Sequence, residues 1–109
     1  MYIVFKSTKL KKTCETFEAA AKKWGFRTAR KLIQRLNEIY AADSLRDLKY
    51  IPAAHCHSLK GKREGQYAVA LEHPYRLIFE SLEPDVTLAD EALSTIKEVR
   101  ILEVIDYHG

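Results

Sequence analysis

The sequence has few of the residues that fasten small proteins together, and it has no long apolar run. Among its 109 residues are two cysteines, three prolines and four glycines. Cys14 and Cys56 are too few and too far apart for a secreted disulfide framework, so we interpret both as reduced thiols. No apolar run exceeds five residues, which argues against a membrane-spanning helix.

The composition is typical of one soluble globular domain over residues 1–109. Hydrophobic residues make up 47% and charged residues 30% of the chain, and this length can enclose a core without a metal or disulfide. The opening residues, MYIVFKSTKL, place charges where an export signal requires apolar residues. We therefore expect a cytoplasmic protein.

Charge is distributed unevenly along the chain. Residues 1–63 contain fifteen Lys and Arg against five Asp and Glu, whereas residues 64–109 contain three against ten, which gives the net charge of +3. A basic half of this kind attracts polyanions such as nucleic acids. Two well-solvated basic helices explain the same distribution, so charge alone does not identify a ligand.

The hydrophobic patterns predict the element order β-α-α-β-β-β. YIVF at residues 2–5 is typical of a strand, and apolar residues at helical spacing from Cys14 to Trp24 predict a first helix that Gly25 ends. A second helix is predicted from an N-cap at Thr28. Its expected buried residues are Ala29, Leu32, Ile33, Leu36, Ile39 and Tyr40, and its expected polar face carries Arg30, Lys31 and Arg35.

The second half of the chain predicts three strands. Alternating runs at 66–72 and 75–81, separated by His73-Pro74, indicate a hairpin, and residues 97–109 indicate a central or near-central strand. The acidic residues 82–97 between them are expected to form a loop with one helical turn in LADEALS. Hairpin strands are antiparallel, so we predict a compact α+β domain with two N-terminal helices on one face of a mostly antiparallel sheet.

The segment HCHSLKGKREG at 55–65 allows three interpretations: part of a metal site, a phosphate contact or a solvated loop. Structural zinc sites usually need four protein ligands at characteristic spacings, and the other histidines and Cys14 are scattered. We therefore predict no metal. The basic residues of the segment that favour phosphate contact are Lys60, Lys62 and Arg63.

Two further places carry side chains that suit phosphate chemistry. Arg76 lies on the predicted third strand, in phase with Ile78 and Glu80, where a solvent-facing or ion-paired arginine is the simpler interpretation. At the end of the chain, alternation puts Asp106 and His108 on one face, although a solvent-facing tail explains them equally well. Together these residues could cleave RNA without a metal, because histidines can move protons and cations can neutralise phosphate.

Four stretches of the sequence together resemble one known family. The combination of HSLKG, YRLIF and a terminal DYH is more specific than any one of them alone. The chain resembles the HigB branch of the RelE/ParE toxin superfamily, the toxin halves of bacterial toxin–antitoxin pairs. The stretches that carry the likeness are WGFRTARKLIQRLNEI, HSLKGKREGQYAV, HPYRLIFE and VIDYH.

The resemblance implies an RNase-type α+β fold and cleavage of mRNA in the A site of the bacterial 70S ribosome, without a cofactor. His57 and Lys60 match the family's H-x-L-K-G motif, and Arg76 matches the arginine of its Y-R-hydrophobic strand. The residues that match the family's terminal Asp-Tyr-His are Asp106, Tyr107 and His108.

The implied roles divide between proton transfer and phosphate binding. Either His57 or His108 is the general base and the other the general acid, and Asp106 orients an imidazole. Tyr107 stacks on a nucleotide or hydrogen-bonds it. The side chains expected to stabilise the phosphate are Lys60 and Arg76. The further basic residues predicted to bind RNA are Arg30, Lys31, Lys62 and Arg63.

A toxin of this kind implies a neutralising partner, and a helix-turn-helix antitoxin similar to HigA is the expected one. The connection at 82–97 is longer and more acidic than in the shortest members of the family, so the register of the last strand is not predicted. Two other functions stay open. One is a toxin that binds gyrase without cleaving RNA, as the ParE branch does, and the other is a degenerate member without activity.

Overall fold

Five strands and four helices make up the part of the chain that the structure describes. The computed structural model describes residues 1–83 and 93–106. The strands are β1 (Tyr2–Phe5), β2 (His57–Ser58), β3 (Gln66–Ala70), β4 (Tyr75–Ser81) and β5 (Glu98–Asp106). The helices are α1 (Thr8–Glu15), α2 (Phe17–Trp24), α3 (Phe26–Ala41) and α4 (Leu45–Lys49), with 3₁₀ turns at Pro52–Ala54 and Gly61–Arg63.

The sheet has the order β1-β5-β4-β3-β2. β1 runs parallel to β5, and the other three neighbouring pairs are antiparallel. The predicted class, helices on a mostly antiparallel sheet in an α+β domain, is confirmed. β5 lies between β1 and β4, which confirms its near-central position. The short strand β2 was not predicted, because residues 41–65 show no alternating pattern.

The predicted first helix is wrong in one respect, because the structure divides it into α1 and α2. Thr16, between them, is extended (φ −121°, ψ 144°), and its hydroxyl accepts a hydrogen bond from the Ala19 amide at 3.1 Å. A threonine side chain at this position satisfies a free amide of the following helix. The chain therefore begins a new helix at Phe17 instead of continuing the first.

Gly25 ends α2, as predicted, and also begins α3. Its φ is +94°, a conformation that other residues rarely adopt, and its amide donates to the Ala21 carbonyl at 2.8 Å. The predicted start of the second helix at Thr28 is wrong: α3 begins at Phe26, and Thr28 is buried within it.

The buried face of α3 corrects three further expectations. Ala29, Leu32, Leu36 and Ile39 are buried in the main core as predicted, whereas Ile33, also expected there, is only half-buried. Tyr40, expected in the core, has 56% of its surface exposed, and Arg35, expected on the polar face, has only 2% exposed.

The two faces of the sheet differ in what covers them. Leu77 and Phe79 of β4 pack in the main core with the helices, whereas Ile78 belongs to a small apolar cluster on the other face, with Leu59 and Ala68. This confirms the predicted alternation and the β3–β4 hairpin, whose turn contains a cis His73–Pro74 peptide. The face of β4 that carries Ile78 is called the outer face below.

The acidic connection between β4 and β5 is only partly described. Residues 84–92 lie outside the described residues, and most of the predicted helical turn in LADEALS falls there. Leu82 donates its amide to the Glu98 carbonyl at 3.0 Å, which joins the described ends of the connection. Within the described ranges, no helix is both long enough and apolar enough to cross a membrane.

Candidate functional site

The outer face of the sheet holds two of the predicted site residues, His57 and Arg76. In register, His57 lies opposite Ala68 and Arg76 lies opposite Ala70 of the strand between them. Strand spacing and rise put their Cα atoms roughly 12 Å apart. The half-buried Ala70 adds only a methyl group to the sheet surface beside Arg76, so a group bound between the two side chains can approach the backbone closely.

The imidazole of His57 is oriented by the backbone of His55. Nδ1 of His57 lies 2.9 Å from the His55 carbonyl oxygen. A carbonyl can only accept, so Nδ1 carries the proton and the neutral ring has its lone pair on Nε2. The His57 side chain is exposed, which leaves Nε2 able to take a proton from a bound ligand.

The carbonyl of His55 reaches Nδ1 of His57 because the backbone of His55 has an unusual conformation. It follows the 3₁₀ turn Pro52–Ala54 and has φ 47° and ψ 45°, in the left-handed region. This conformation costs free energy in a residue with a side chain, and such residues cluster at functional sites. His55 therefore takes part in the site through its backbone, because its carbonyl fixes the tautomer of His57.

Arg76 supplies positive charge at one end of the outer face. It is half-buried, and its guanidinium donates to the carbonyl of the neighbouring Tyr75 at 2.9 Å. Among residues 1–83 and 93–106, no carboxylate forms an ion pair with it. Most of its donors are therefore available to a phosphate, for which the planar guanidinium offers a bidentate contact.

Lys60 lies away from Arg76. The amide of Leu59 donates to the Gln66 carbonyl at 2.9 Å, which places Lys60 beyond the Gln66 end of β3, whereas Arg76 lies opposite its Ala70 end. The rise along a strand separates the two levels by about 15 Å. Lys60 and Arg76 therefore cannot hold the same phosphate in this conformation, and the expectation that they do is not met.

The two other cations of the loop differ in their surroundings. Lys62 is exposed. Arg63 donates to the Gln66 side chain at 2.9 Å and forms an ion pair with Glu103 at 3.6 Å. A second pair on the same face, Arg100 with Glu80 at 3.0 Å, leaves little net charge at the Gln66 end of the sheet.

Arg30 and Lys31, also predicted to bind RNA, are on α3, against the opposite face of the sheet. Arg30 lies 5.0 Å from the centre of the Phe26 ring, a cation–π contact. Lys31 forms an ion pair with Glu72 at 3.8 Å. No described contact joins either residue to His57 or Arg76.

Asp106 is near Arg76 along the sheet, but the two side chains lie on opposite faces. Arg76 lies opposite Ile105 and Tyr75 lies opposite Asp106. Val104 packs against the core beneath the helices and Ile105 packs against the outer cluster, so alternation directs Asp106 to the helix side. Tyr107 and His108 lie outside the described residues.

Neither cysteine thiol is suited to act as a nucleophile. Burial raises the pKa of the Cys56 thiol to about 12 and that of Cys14 to about 11. Both thiols are protonated at neutral pH, which makes them poor nucleophiles. No group of three or more His, Cys, Asp or Glu in the described part of the chain is arranged to hold a metal ion.

Comparison with known protein families shows to which family the chain belongs. Residues 4–93 match the family described as the RelE-like toxin of the type II toxin–antitoxin system HigB. The chain belongs to this HigB-like toxin family. Its fold is also similar to a YoeB/ParE toxin from Agrobacterium tumefaciens, with a TM-score of 0.54 and 13% sequence identity over 99% of this chain and 100% of the other. A comparison with curated proteins found no match.

The family match covers part of the predicted site of this HigB-like toxin. His57, Lys60 and Arg76 lie within the matched residues, whereas Asp106 lies beyond them. The similar solved structure shows the fold alone at this level of identity. Membership of a type II toxin family implies a cognate antitoxin as partner.

Sequence reasoning missed Arg35, which supports the site from below. Its Nε donates to the Ala70 carbonyl at 2.8 Å, another nitrogen donates to Ala53 at 2.7 Å, and a third contact is an ion pair with Glu38 at 3.0 Å. A signal was present, because position 35 lies three residues after Leu32 and four before Ile39 on the apolar side of the helix. The carbonyl role of His55 has no comparable signal in the sequence.

Proposed function

We propose that this toxin is a ribosome-dependent endoribonuclease that cleaves mRNA in the A site by metal-free general acid–base chemistry. The observation that carries the proposal is the placement of two polar side chains on the outer face of the sheet. The neutral imidazole of His57 presents its lone pair on Nε2, and Arg76 presents a guanidinium that no described carboxylate neutralises.

The first chemical step follows from these two groups. Nε2 of His57 accepts the proton of an RNA 2′-hydroxyl as its oxygen attacks the adjacent phosphorus. Arg76 stabilises the negative charge that develops on the phosphate oxygens. The bond from phosphorus to the 5′-oxygen breaks, and that oxygen takes a proton from an acid.

We assign the second proton transfer to the end of the chain. Tyr107 and His108 carry side chains that can donate a proton. Asp106 is directed to the helix side of the sheet, so we give it no part in this transfer. Lys60 and Lys62 would contact RNA at the other end of the outer face. Because Arg63 and Arg100 are paired with carboxylates there, we expect weak binding to free RNA, with the ribosome providing most of the affinity.

A cleavage assay on a programmed ribosome tests the proposal. Purified toxin is added to ribosomes carrying a defined mRNA, and the ends of the products are mapped beside naked mRNA treated with EDTA. The wild type is compared with Arg76→Ala, His57→Gln and a matched exposed arginine on the helical layer, Arg27→Ala. We expect cuts in the A-site codon with ribosomes only, lost by at least a hundredfold in the first two variants and retained in Arg27→Ala.

Three other results would change the proposal. Cleavage of naked mRNA in the presence of EDTA would support the metal-free acid–base chemistry and contradict the dependence on the ribosome. Full activity in a folded Arg76→Ala variant would contradict the assignment of Arg76 to the active site. Growth arrest with intact mRNA and induction of DNA damage signalling would favour a gyrase-binding toxin.

A further inference from the structure

The side chain of Arg63 crosses the outer face of the sheet from β3 to β5. One of its nitrogens donates to the Gln66 side chain on β3 at 2.9 Å, and another lies 3.6 Å from a carboxylate oxygen of Glu103 on β5. β4 lies between these two strands. The guanidinium therefore passes above β4, whose outward side chain opposite Glu103 is the fully buried Ile78. This contact is called the Arg63 bridge below.

The Arg63 bridge lies across the path proposed for RNA. Arg76 and Lys60 are level with opposite ends of β3, and these levels are about 15 Å apart along the strands. Glu103 lies opposite Ile78, two residues from Arg76 on β4, and is thus between the two levels. An RNA strand that contacts both Arg76 and Lys60 must therefore pass over the bridge, where the cation is already paired with a carboxylate.

Arg63 is carried on an exposed turn that has a glycine at each end. Gly61 and Gly65 have φ of 66° and 88°, and no atom beyond their chain neighbours lies within 4 Å of where a Cβ would stand on either. Glycine adopts both signs of φ readily, so the turn has a hinge at each end. Its contact with Gln66 is local in the chain. Among the described residues, Glu103 is the polar partner that ties this turn to a distant strand.

The Arg63 bridge is weak enough to open when a phosphate competes for the guanidinium. The side chains of Arg63 and Glu103 are 34% and 43% exposed, and water screens an ion pair of this kind. A phosphate offers two oxygens to a guanidinium in a bidentate contact, which is stronger. Free RNA must supply the whole cost of opening the bridge. RNA held on the ribosome is present at the site at a high effective concentration, so it can open the bridge more readily.

A second ion pair on the outer face provides a matched comparison. Arg100 on β5 and Glu80 on β4 lie opposite each other in register, with a nitrogen and an oxygen 3.0 Å apart. Both strands are inside the sheet and have a neighbour on each side, so their backbones are fixed. The Arg63–Glu103 pair instead joins the sheet to a hinged turn. Removal of either carboxylate makes the same change in charge, but only removal of Glu103 releases a turn.

We propose that the Arg63 bridge is a latch that makes the toxin select RNA held on the ribosome over free RNA. In the free toxin the latch is closed and obstructs the outer face. When the ribosome presents RNA, a phosphate replaces the Glu103 carboxylate, the turn moves about Gly61 and Gly65, and Arg63 becomes a phosphate ligand. The inference rests on the proposed nuclease function, and it assigns the preference for ribosome-bound RNA to Arg63 and Glu103.

The ratio of two cleavage rates tests this selection: that of naked mRNA and that of the same mRNA on a programmed ribosome. Glu103→Gln opens the latch and keeps the cation, so we expect it to raise the ratio of naked to ribosomal cleavage at least tenfold. Arg63→Gln opens the latch but removes the cation, and the control Glu80→Gln releases no turn. Both should change the ratio by less than threefold. An unchanged ratio in Glu103→Gln, or an equal rise in Glu80→Gln, would overturn the proposal.

Motion of the turn is measured without any cleavage. ¹⁵N relaxation gives the order parameter of the Lys62 amide, which lies within the turn. We expect a value of about 0.85 in the wild type and in Glu80→Gln, and a value below about 0.6 in Glu103→Gln. A turn that stays equally rigid in Glu103→Gln would overturn the latch. An absence of cleavage in every variant would reject the nuclease, and the order parameters would still decide whether the latch exists.

Discussion

The guanidinium of Arg35 holds the carbonyl of Ala70, the residue opposite Arg76 on the neighbouring strand, through a hydrogen bond of 2.8 Å. The same guanidinium donates to Ala53, two residues before His55. One buried side chain of α3 thus fixes both backbone segments that carry the candidate site. Its position beneath the sheet explains why a charged residue is retained among apolar neighbours.

Replacement of Arg35 by methionine should destabilise the protein by about 3 kcal/mol, because two carbonyls lose their donor and each unsatisfied buried group costs about 1–3 kcal/mol. Urea unfolding monitored by circular dichroism measures this difference. The matched control is Arg30→Met, an exposed arginine on the same helix, for which we expect a change below about 0.5 kcal/mol. Equal stabilities for the two variants would contradict the assigned role of Arg35.

The left-handed conformation of His55 should be required for the tautomer of His57. Valine at position 55 disfavours a positive φ by roughly 1–2 kcal/mol and should move the carbonyl away from Nδ1. Glycine adopts this conformation readily, so His55→Gly is the matched control. We expect ¹⁵N NMR to show His57 protonated on Nδ1 in the wild type and in His55→Gly, and a mixture of tautomers in His55→Val. A mixture of tautomers in all three proteins would show that the His55 carbonyl does not set the tautomer of His57.

Release of Arg63 from its carboxylate partner should increase affinity for RNA. In Glu103→Gln, the guanidinium keeps its contact with Gln66 and loses the ion pair, so it can bind a phosphate. Fluorescence titration with a short single-stranded RNA should show a severalfold rise in affinity and a salt dependence steeper by about 0.7 in log–log slope. Stability should change by less than about 1 kcal/mol, since both side chains of the pair are partly exposed.

The control for this variant is Glu18→Gln, which removes one negative charge from the helical layer. It changes the net charge by the same amount at a position away from the outer face. If both variants raise the affinity equally, the effect comes from net charge and the local pair with Arg63 is not responsible.

Both thiols should resist alkylation until the protein unfolds. The pKa of Cys56 is raised from 9.0 to about 12 and that of Cys14 from 9.0 to about 11, in each case chiefly by burial. At pH 8 the thiolate fraction of Cys56 should therefore be about a thousandfold lower in the native state than in the unfolded state. Iodoacetamide labelling followed by mass spectrometry, with and without denaturant, measures the two rates. Rapid labelling of native Cys56 would show that the thiol is not held in its buried, protonated form.

The same pKa shifts give the sign of a stability change in alkaline solution. A buried thiol keeps its proton in the folded state while the unfolded chain loses it above pH 9, so the free energy of unfolding decreases as pH rises from about 9 to about 11. The slope is about 1.4 kcal/mol per pH unit for each thiol. Cys14→Ala should flatten this decrease relative to the wild type.

Local patterns predicted four of the five described strands and the faces of their side chains. Alternation in YRLIF put Leu77 and Phe79 on one face and Arg76 and Ile78 on the other, and the structure agrees. The pattern is reliable because side chains alternate strictly along a strand, whatever it pairs with. The glycine after Trp24 was equally informative, since a positive φ at a helix end favours glycine.

The assembly of the site was not predictable in the same way. Lys60 and Arg76 belong to one family pattern, yet pairing through β3 places them at opposite ends of a strand. Asp106 and Arg76 come close along the sheet but alternate between its faces. Both results depend on the register of strands that are distant in the chain, and no local pattern encodes that register.

The sequence by itself determined the α+β class, the four longer strands of the sheet and the family to which the chain belongs. These features follow from periodicity, turn chemistry and motifs, all of which act over a few neighbouring residues. Tertiary structure alone decided which carbonyls the buried Arg35 binds, that the His55 carbonyl orients His57 and that β1 joins β5 as a parallel neighbour. Each of these depends on which distant backbone groups meet, because a buried polar group must find its partner wherever the fold places one.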